Sequence, residues 1–222
     1  AGQTIGVIGG TGSGKSTLVN LIPRFYDAAS GQVLVDGTDV KEYSLDELRD
    51  KTGVVPQKSV LFKGTLRDNM RWGKQDASDE EIYRALDTAQ AREFVDSKGE
   101  GLDLYIDQGG HNLSGGQRQR LTIARALVRR PEILIMDDSA SALDFATDAK
   151  LRKAIRENTG DMTVFVVSQR ATTIKSADTI LVLDEGRLAG MGTHKELLKD
   201  CQVYREICLS QLSKEEVERD EQ

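Results

Sequence analysis

Cysteine, proline and aromatic residues are all scarce in this 222-residue chain, with two Cys, three Pro, one Trp and 5% aromatic side chains. Cys201 and Cys208 are seven positions apart in a helix-like tail. Two helical turns separate such residues by about 10 Å, too far for a disulfide. No C-x-x-C pair or Cys/His cluster offers a metal site. Long apolar runs are absent too: Ile133–Met136, Val164–Val167 and Ile180–Leu183 are strand-sized, far short of the ~18–20 residues that cross a bilayer. Charge is modestly acidic, 30 Lys+Arg against 36 Asp+Glu, and the last nine residues carry two positive and five negative charges. That balance disfavours a nucleic-acid binder driven by bulk charge.

Glycine is what the chain has in excess, 21 of 222, and it is clustered: Gly9, Gly10, Gly12 and Gly14; Gly109 and Gly110; Gly115 and Gly116; Gly186, Gly190 and Gly192. Clustered Gly in a Pro-poor chain points to loops that approach a ligand closely. Strand and helix patterns alternate. Thr4–Ile8 is a short apolar strand, and Thr17–Arg24 reads as the helix after it. Gln32–Val35 before Asp36-Gly37 predicts a hairpin arm, and Thr52–Val55 a β-branched strand ended by Pro56. Asp79–Ser97 carries Ile82, Leu86 and Ala89 at helical spacing and predicts one amphipathic helix; Gln117–Arg130 repeats the pattern. The three apolar runs are of the kind buried on both faces of a parallel sheet. The class is α/β, with a mostly helical stretch over 58–130 interrupting the alternation. The tail 213–222 is expected to be frayed or a short solvated helix.

Gly9-Gly10-Thr11-Gly12-Ser13-Gly14-Lys15-Ser16-Thr17 fits G-x-x-x-x-G-K-[ST] between a strand and a helix, the context of a phosphate-binding P-loop. Glycines let backbone N–H groups turn inward around phosphate oxygens, and the helix start adds its dipole. Lys15 is expected to reach the β/γ-phosphates and Ser16 to ligate Mg²⁺. Ile133–Met136 runs into Asp137-Asp138, which delivers two carboxylates to the carboxyl edge of the sheet. Asp137 is placed to hold Mg²⁺, and Asp138 to orient or deprotonate the attacking water. Leu113-Ser114-Gly115-Gly116-Gln117 precedes a helix, with Ser114 a suitable N-cap; such a start is a second anion site.

With these motifs in place the sequence resembles the nucleotide-binding domain of an ATP-binding cassette (ABC) transporter. Leu113–Gln117 matches that family's signature pentapeptide, Val54-Val55-Pro56-Gln57 resembles its Q-loop and Ser141-Ala142-Leu143-Asp144 its D-loop. Leu61–Asn69 is similar to multidrug and lipid exporters. The resemblance covers residue 1 to about 210. It implies a RecA-like P-loop NTPase core over 1–57 and 131–200 with a parallel sheet and an N-terminally truncated antiparallel β piece. A helical subdomain over 58–130 and a C-terminal helix with an acidic tail over 201–222 would complete the chain. It further implies a head-to-tail dimer with a second ABC nucleotide-binding domain, two ATP molecules sandwiched between P-loop and signature, and Gln57 touching Mg²⁺. A transmembrane domain is the other implied partner, at the cytoplasmic face of a membrane, and no nucleic acid is. That domain and the adenine-stacking aromatic would lie upstream of residue 1.

Two positions depart from the family. Asp138 stands where Glu is usual, and Gln169, in Val166–Arg170, stands where a switch His is usual. Asp withdraws its carboxylate by about 1 Å, a displacement that can cost ~10²-fold in rate. Gln169 can donate a hydrogen bond but carries no positive charge and relays no proton. Both changes fall on hydrolysis and spare binding. This resembles the degenerate-site subunit of heterodimeric bacterial exporters, whose intact signature completes the partner's competent site. The alternatives are a homodimeric, fully active exporter ATPase and, more remotely, a DNA-associated ABC clamp or a soluble two-domain ATPase. Against the clamp, only 55 residues separate Gln57 from Leu113 and they hold no sustained heptads.

Overall fold

The computed structural model describes residues 1–139 and 142–221. The strands are β1 Thr4–Gly9, β2 Leu34–Val35, β3 Thr38–Asp39, β4 Thr52–Val55, β5 Gly64–Thr65, β6 Tyr105–Ile106, β7 Ile133–Asp137, β8 Thr163–Val167, β9 Thr179–Asp184 and β10 Arg187–Gly192. The helices are α1 Lys15–Asn20, α2 Leu45–Lys51, α3 Leu66–Arg71, α4 Asp79–Thr88, α5 Arg92–Ser97, α6 Gly115–Leu127, α7 Phe145–Asn158, α8 Ala171–Ile174, α9 His194–Asp200, α10 Gln202–Leu209 and α11 Lys214–Glu221. Among the described residues the main sheet has the order β10-β9-β1-β8-β7-β4. The chain divides into two compact units, one of residues 1–52, 135–138 and 163–222, the other of 53–134 and 139–162. None of the helices is long and apolar enough to cross a membrane, among the described residues.

In the first unit β1 lies between two parallel neighbours, Val7 opposite Val167 on β8 and Leu181 on β9. Val7, Ile8, Val166, Val167, Ile180 and Val182 are buried, as expected of parallel strands covered on both faces. β10 adds an antiparallel edge with a bulge between Leu188 and Gly190. Antiparallel pairing recurs in the β2–β3 hairpin, whose Asp36 and Gly37 have φ of 51° and 79°, the paired positive φ that a tight two-residue turn needs. Helix α1 is shorter than the expected Thr17–Arg24. Pro23 has no N–H and disfavours helical geometry at the residue before it.

The C-terminal segment closes this unit. α9 is started by a reciprocal cap between Thr193 and Glu196. Cys201, with extended backbone, separates α9 from α10, so Cys201 and Cys208 do not share one helix; both are free and buried. Tyr204 is fully buried and its hydroxyl lies 2.8 Å from His194 Nδ1. The acidic tail is helical: Ser213 and Glu216 cap it reciprocally and Val217 is buried.

In the second unit α6 is the central helix, with Leu121, Ile123 and Ala124 fully buried and α3 and α4 packed on it. The single helix expected over Asp79–Ser97 is two. Gln90 has φ 56°, and the Ala91 N–H reaches back to the Leu86 carbonyl at 2.8 Å, the pattern of a helix stop. Arg120 donates to the Gln90 carbonyl at 2.6 Å and stacks over Phe94. After the break the buried positions Phe94 and Val95 no longer share the helical face of Ile82, Leu86 and Ala89.

Two outcomes follow from this packing. A Cβ on Gly73 would collide with the Arg125 carbonyl oxygen, so Gly73→Ala should destabilise the second unit by about 1–3 kcal/mol, read by denaturant titration. Burial lowers the pKa of His194 from 6.5, against the opposing pull of Asp220. The unfolded chain therefore takes the proton first, so stability present above pH 6.5 is lost as pH falls below it. The thermal midpoint should drop in that window, and His194→Gln should flatten the dependence.

Candidate functional site

The apolar strand β1 ends at Gly9, where a Cβ would collide with the Leu183 carbonyl and the Ser13 hydroxyl. Only glycine lets the chain pass this close to β9. The loop then turns: the Ser13 N–H donates to the Gly10 carbonyl at 3.2 Å, and the Gly186 N–H, from the turn after β9, donates to the Ser13 carbonyl at 3.2 Å. Gly12 has φ 80° and Gly14, the cap of α1, φ 94° with no side-chain cap. Gly10, Thr11, Gly12, Ser16 and Thr17 are exposed, whereas Ser13 and Lys15 are buried.

Lys15 folds back over this loop. Its Nζ donates to the Gly9 and Gly10 carbonyls at 2.9 and 2.8 Å and lies 3.5 Å from Ser13 Oγ. An ammonium has three donors, and the loop occupies them. Burial pushes the Lys15 pKa down, while the charges of Asp138 and Asp137 pull it up. A buried cation within electrostatic reach of two carboxylates, set in a loop of exposed glycines, is suited to an anionic ligand.

Ser16 Oγ donates to Asp137 Oδ1 at 3.0 Å. The two oxygens come from residues 121 positions apart and form a hard-oxygen pair. Among the described residues no cluster of three or more His, Cys, Asp or Glu could hold a metal alone. A two-oxygen site fits Mg²⁺, which keeps water and takes its remaining ligands from substrate phosphates. Next to Asp137, Asp138 adopts φ 45°, a left-handed backbone that Asp tolerates better than most residues. Its N–H donates to the Val167 carbonyl at 2.9 Å. That ties the end of β7 to the end of β8, two residues before Gln169.

The turn carrying Gln169 is bound on both sides. The Ser168 N–H donates to the Val7 carbonyl at 3.1 Å, and Ser168 Oγ accepts from the Arg170 N–H at 3.0 Å. Gln169 itself is exposed. Its carbonyl accepts from Gln211 Nε2 at 2.7 Å. No motif in the sequence points to Gln211, which is 42 residues away.

The other motifs lie in the second unit. Ser114 caps α6: its hydroxyl accepts from the Gln117 N–H at 3.2 Å while Gln117 Oε1 accepts from the Ser114 N–H at 3.0 Å. The Gln117 side chain is thus occupied in holding the helix start. Arg118 reaches the Leu113 and Gly110 carbonyls. Gly115 and Gly116 open the helix, and a Cβ on Gly116 would press on the Ala142 carbonyl at 3.4 Å. Asp144 caps α7, accepting from the Thr147 N–H at 2.9 Å and the Thr147 hydroxyl at 2.8 Å; the Thr147 bonds hold its carboxyl below the usual range. Ser141, the first residue of the expected D-loop, lies outside the described residues. Gln57 follows Pro56 after β4 and is exposed. Lys15, Ser16, Asp137, Asp138 and Gln169 are thus brought together in the first unit, and Gln57, Ser114–Gln117 and Asp144 belong to the second.

The chain is similar to known proteins. Residues 1–141 match the family described as ABC transporter. An uncharacterized ABC transporter ATP-binding protein of Mycobacterium tuberculosis is 50% identical over 213 residues, 95% of this chain and 36% of that protein. An ATP-dependent lipid A-core flippase of Haemophilus influenzae is 43% identical over 214 residues, 96% of this chain and 36% of that protein. The chain therefore spans about a third of the length of these relatives. The solved structure of a bacterial Atm1-family ABC exporter with ATP bound superimposes with a TM-score of 0.91 at 39% identity, over 96% of this chain and 38% of that one. The chain belongs to the ABC transporter family, and its fold is that family's ATP-binding domain.

Proposed function

We propose that this chain binds ATP-Mg²⁺ and, as part of a longer membrane protein, powers export of a substrate. The observation that carries the binding reading is the assembly of Lys15, Ser16 and Asp137 at the end of β1 and β7. The Lys15 ammonium exchanges its contacts with the Gly9 and Gly10 carbonyls for phosphate oxygens. Gly10 to Gly14 supply backbone N–H groups, and Ser16 and Asp137 hold the metal. When bound, Mg²⁺ neutralises phosphate charge and orients the terminal phosphoryl group. Export is supported by the relatives named as a lipid A-core flippase and an Atm1-family exporter.

The chemistry at this site is slow in the proposed reading. Asp138 orients the attacking water from a carboxylate one methylene shorter than Glu, and Gln169 faces the terminal phosphate without a charge to offer. The capped start of α6, Ser114 to Gln117, together with Asp144, serves a second ABC nucleotide-binding domain in a different subunit. There it completes a site with full hydrolytic machinery. The intact cap at Ser114 supports this division, since the two departures fall at Asp138 and Gln169 and leave the start of α6 whole.

Two measurements test the reading. Lys15→Ala should weaken ATP binding by at least about tenfold, as charge-assisted contacts are lost. In the complex with its partner it should lower total turnover less than the matching lysine substitution in the partner does; an equal loss overturns the asymmetric reading. Asp138→Glu combined with Gln169→His should raise turnover at this site by about ten- to a hundredfold in single-turnover assays. No gain would place the defect elsewhere.

A further inference from the structure

The turn at Gln169 is held by a residue far along the chain. Gln211 sits between α10 and α11, and its amide spans the turn: Oε1 accepts from the Ala171 N–H at 2.9 Å, and Nε2 donates to the Gln169 carbonyl at 2.7 Å. One donor and one acceptor are required, two residues apart, and a primary amide is the side chain that supplies both. The Ala171 N–H is the first of helix α8 and has no partner within that helix. Gln211 is therefore the cap that Arg170, which makes no side-chain cap, does not provide.

The same C-terminal segment grips α8 at its other end. Lys175, which follows α8, pairs with Asp220 of α11 at 3.4 Å. The segment is also packed against other elements, α10 and α11 on α9, and α10 on β9 and β10. The Gln211 and Leu212 N–H groups donate to the Cys208 carbonyl at 3.0 and 2.8 Å, and Tyr204, Cys208 and Val217 are buried. α8 in turn lies directly on β1, where Gly6 leaves 3.0 Å between a Cβ and Ile174 Cβ. The helix after the turn is thus clamped at both ends by residues more than 35 positions away, while the Gln169 side chain stays exposed.

We propose that Gln211 is a positioning residue for Gln169, and that through it the α10–α11 segment sets the geometry of the turn that faces the nucleotide. The catalytic half of this inference rests on the proposed role of Gln169; the mechanical half does not. Gln211→Glu keeps the acceptor for Ala171 and places a carboxylate oxygen against the Gln169 carbonyl, so it breaks one contact in an isosteric side chain. Gln211→Ala breaks both.

The test has two arms, both in the full polypeptide that carries these residues. In native-state hydrogen exchange, Gln211→Ala should speed exchange at 169–174 by about fivefold or more, with β1 and β8 unchanged. In ATP turnover with the partner domain present and its own P-loop lysine replaced, Gln211→Ala and Gln211→Glu should lower kcat at this site by about three- to tenfold, leaving KM within about twofold. In a Gln169→Ala background the same substitutions should have little further effect on kcat. Unchanged exchange at 169–174 overturns the clamp. An undiminished kcat effect in the Gln169→Ala background overturns action through Gln169. Faster exchange with no turnover even before substitution would refute the catalytic reading of Gln169 and uphold the clamp.

Discussion

Strand β1 has to lie between β8 and β9, and the candidate site depends on that placement. Parallel pairing on both sides buries Val7 and Ile8 completely and brings the carboxyl ends of the neighbouring strands to one edge. At that edge Gly9 passes so close to the Leu183 carbonyl that no side chain fits. The loop is thereby delivered with its backbone groups exposed and with Lys15 folded into it. Asp137, Asp138 and Gln169 reach the same region because β7 and β8 end there too. The hydrogen bonds from Asp138 to Val167 and from Ser168 to Val7 fix those ends in relation to one another.

Caps and close approaches do the rest of the positioning. Ser114, Asp144, Thr193 and Ser213 each satisfy orphaned N–H groups at a helix start, and each cap is worth about 1 kcal/mol. At α6 the cap also fixes the start of the signature helix, since the side chains of Ser114 and Gln117 bond each other's backbone. At α8 no local residue does this, and a side chain from the C-terminal segment takes the place.

Much of this was legible in residue order. The P-loop, the acids after β7 and the cap at Ser114 are local patterns, each completed within a dozen residues, and the apolar strands announce themselves by continuous Val, Ile and Leu. The Asp36-Gly37 turn was readable for the same reason. The Asp79–Ser97 stretch was not, because the stop at Gln90 is fixed by a left-handed backbone and by Arg120 from another helix. The tail was legible in part: a short helix was one of its two readings and it is helical, but its acidic composition reads as solvated, while one valine, Val217, and the pairings of Asp220 and Glu221 hold it down.

What the sequence by itself determined is the chemistry on offer: a glycine-rich loop with its lysine, hard oxygens at Ser16 and Asp137, and an aspartate and a glutamine at Asp138 and Gln169. These are properties of residue type and short spacing, and local backbone geometry follows from them. Only the tertiary structure decided which of these groups meet. The Ser16–Asp137 contact joins residues 121 positions apart, and the Gln211 clamp joins residues 42 apart. Pairings at such separations arise from how the buried strands and helices pack, and no local pattern carries them.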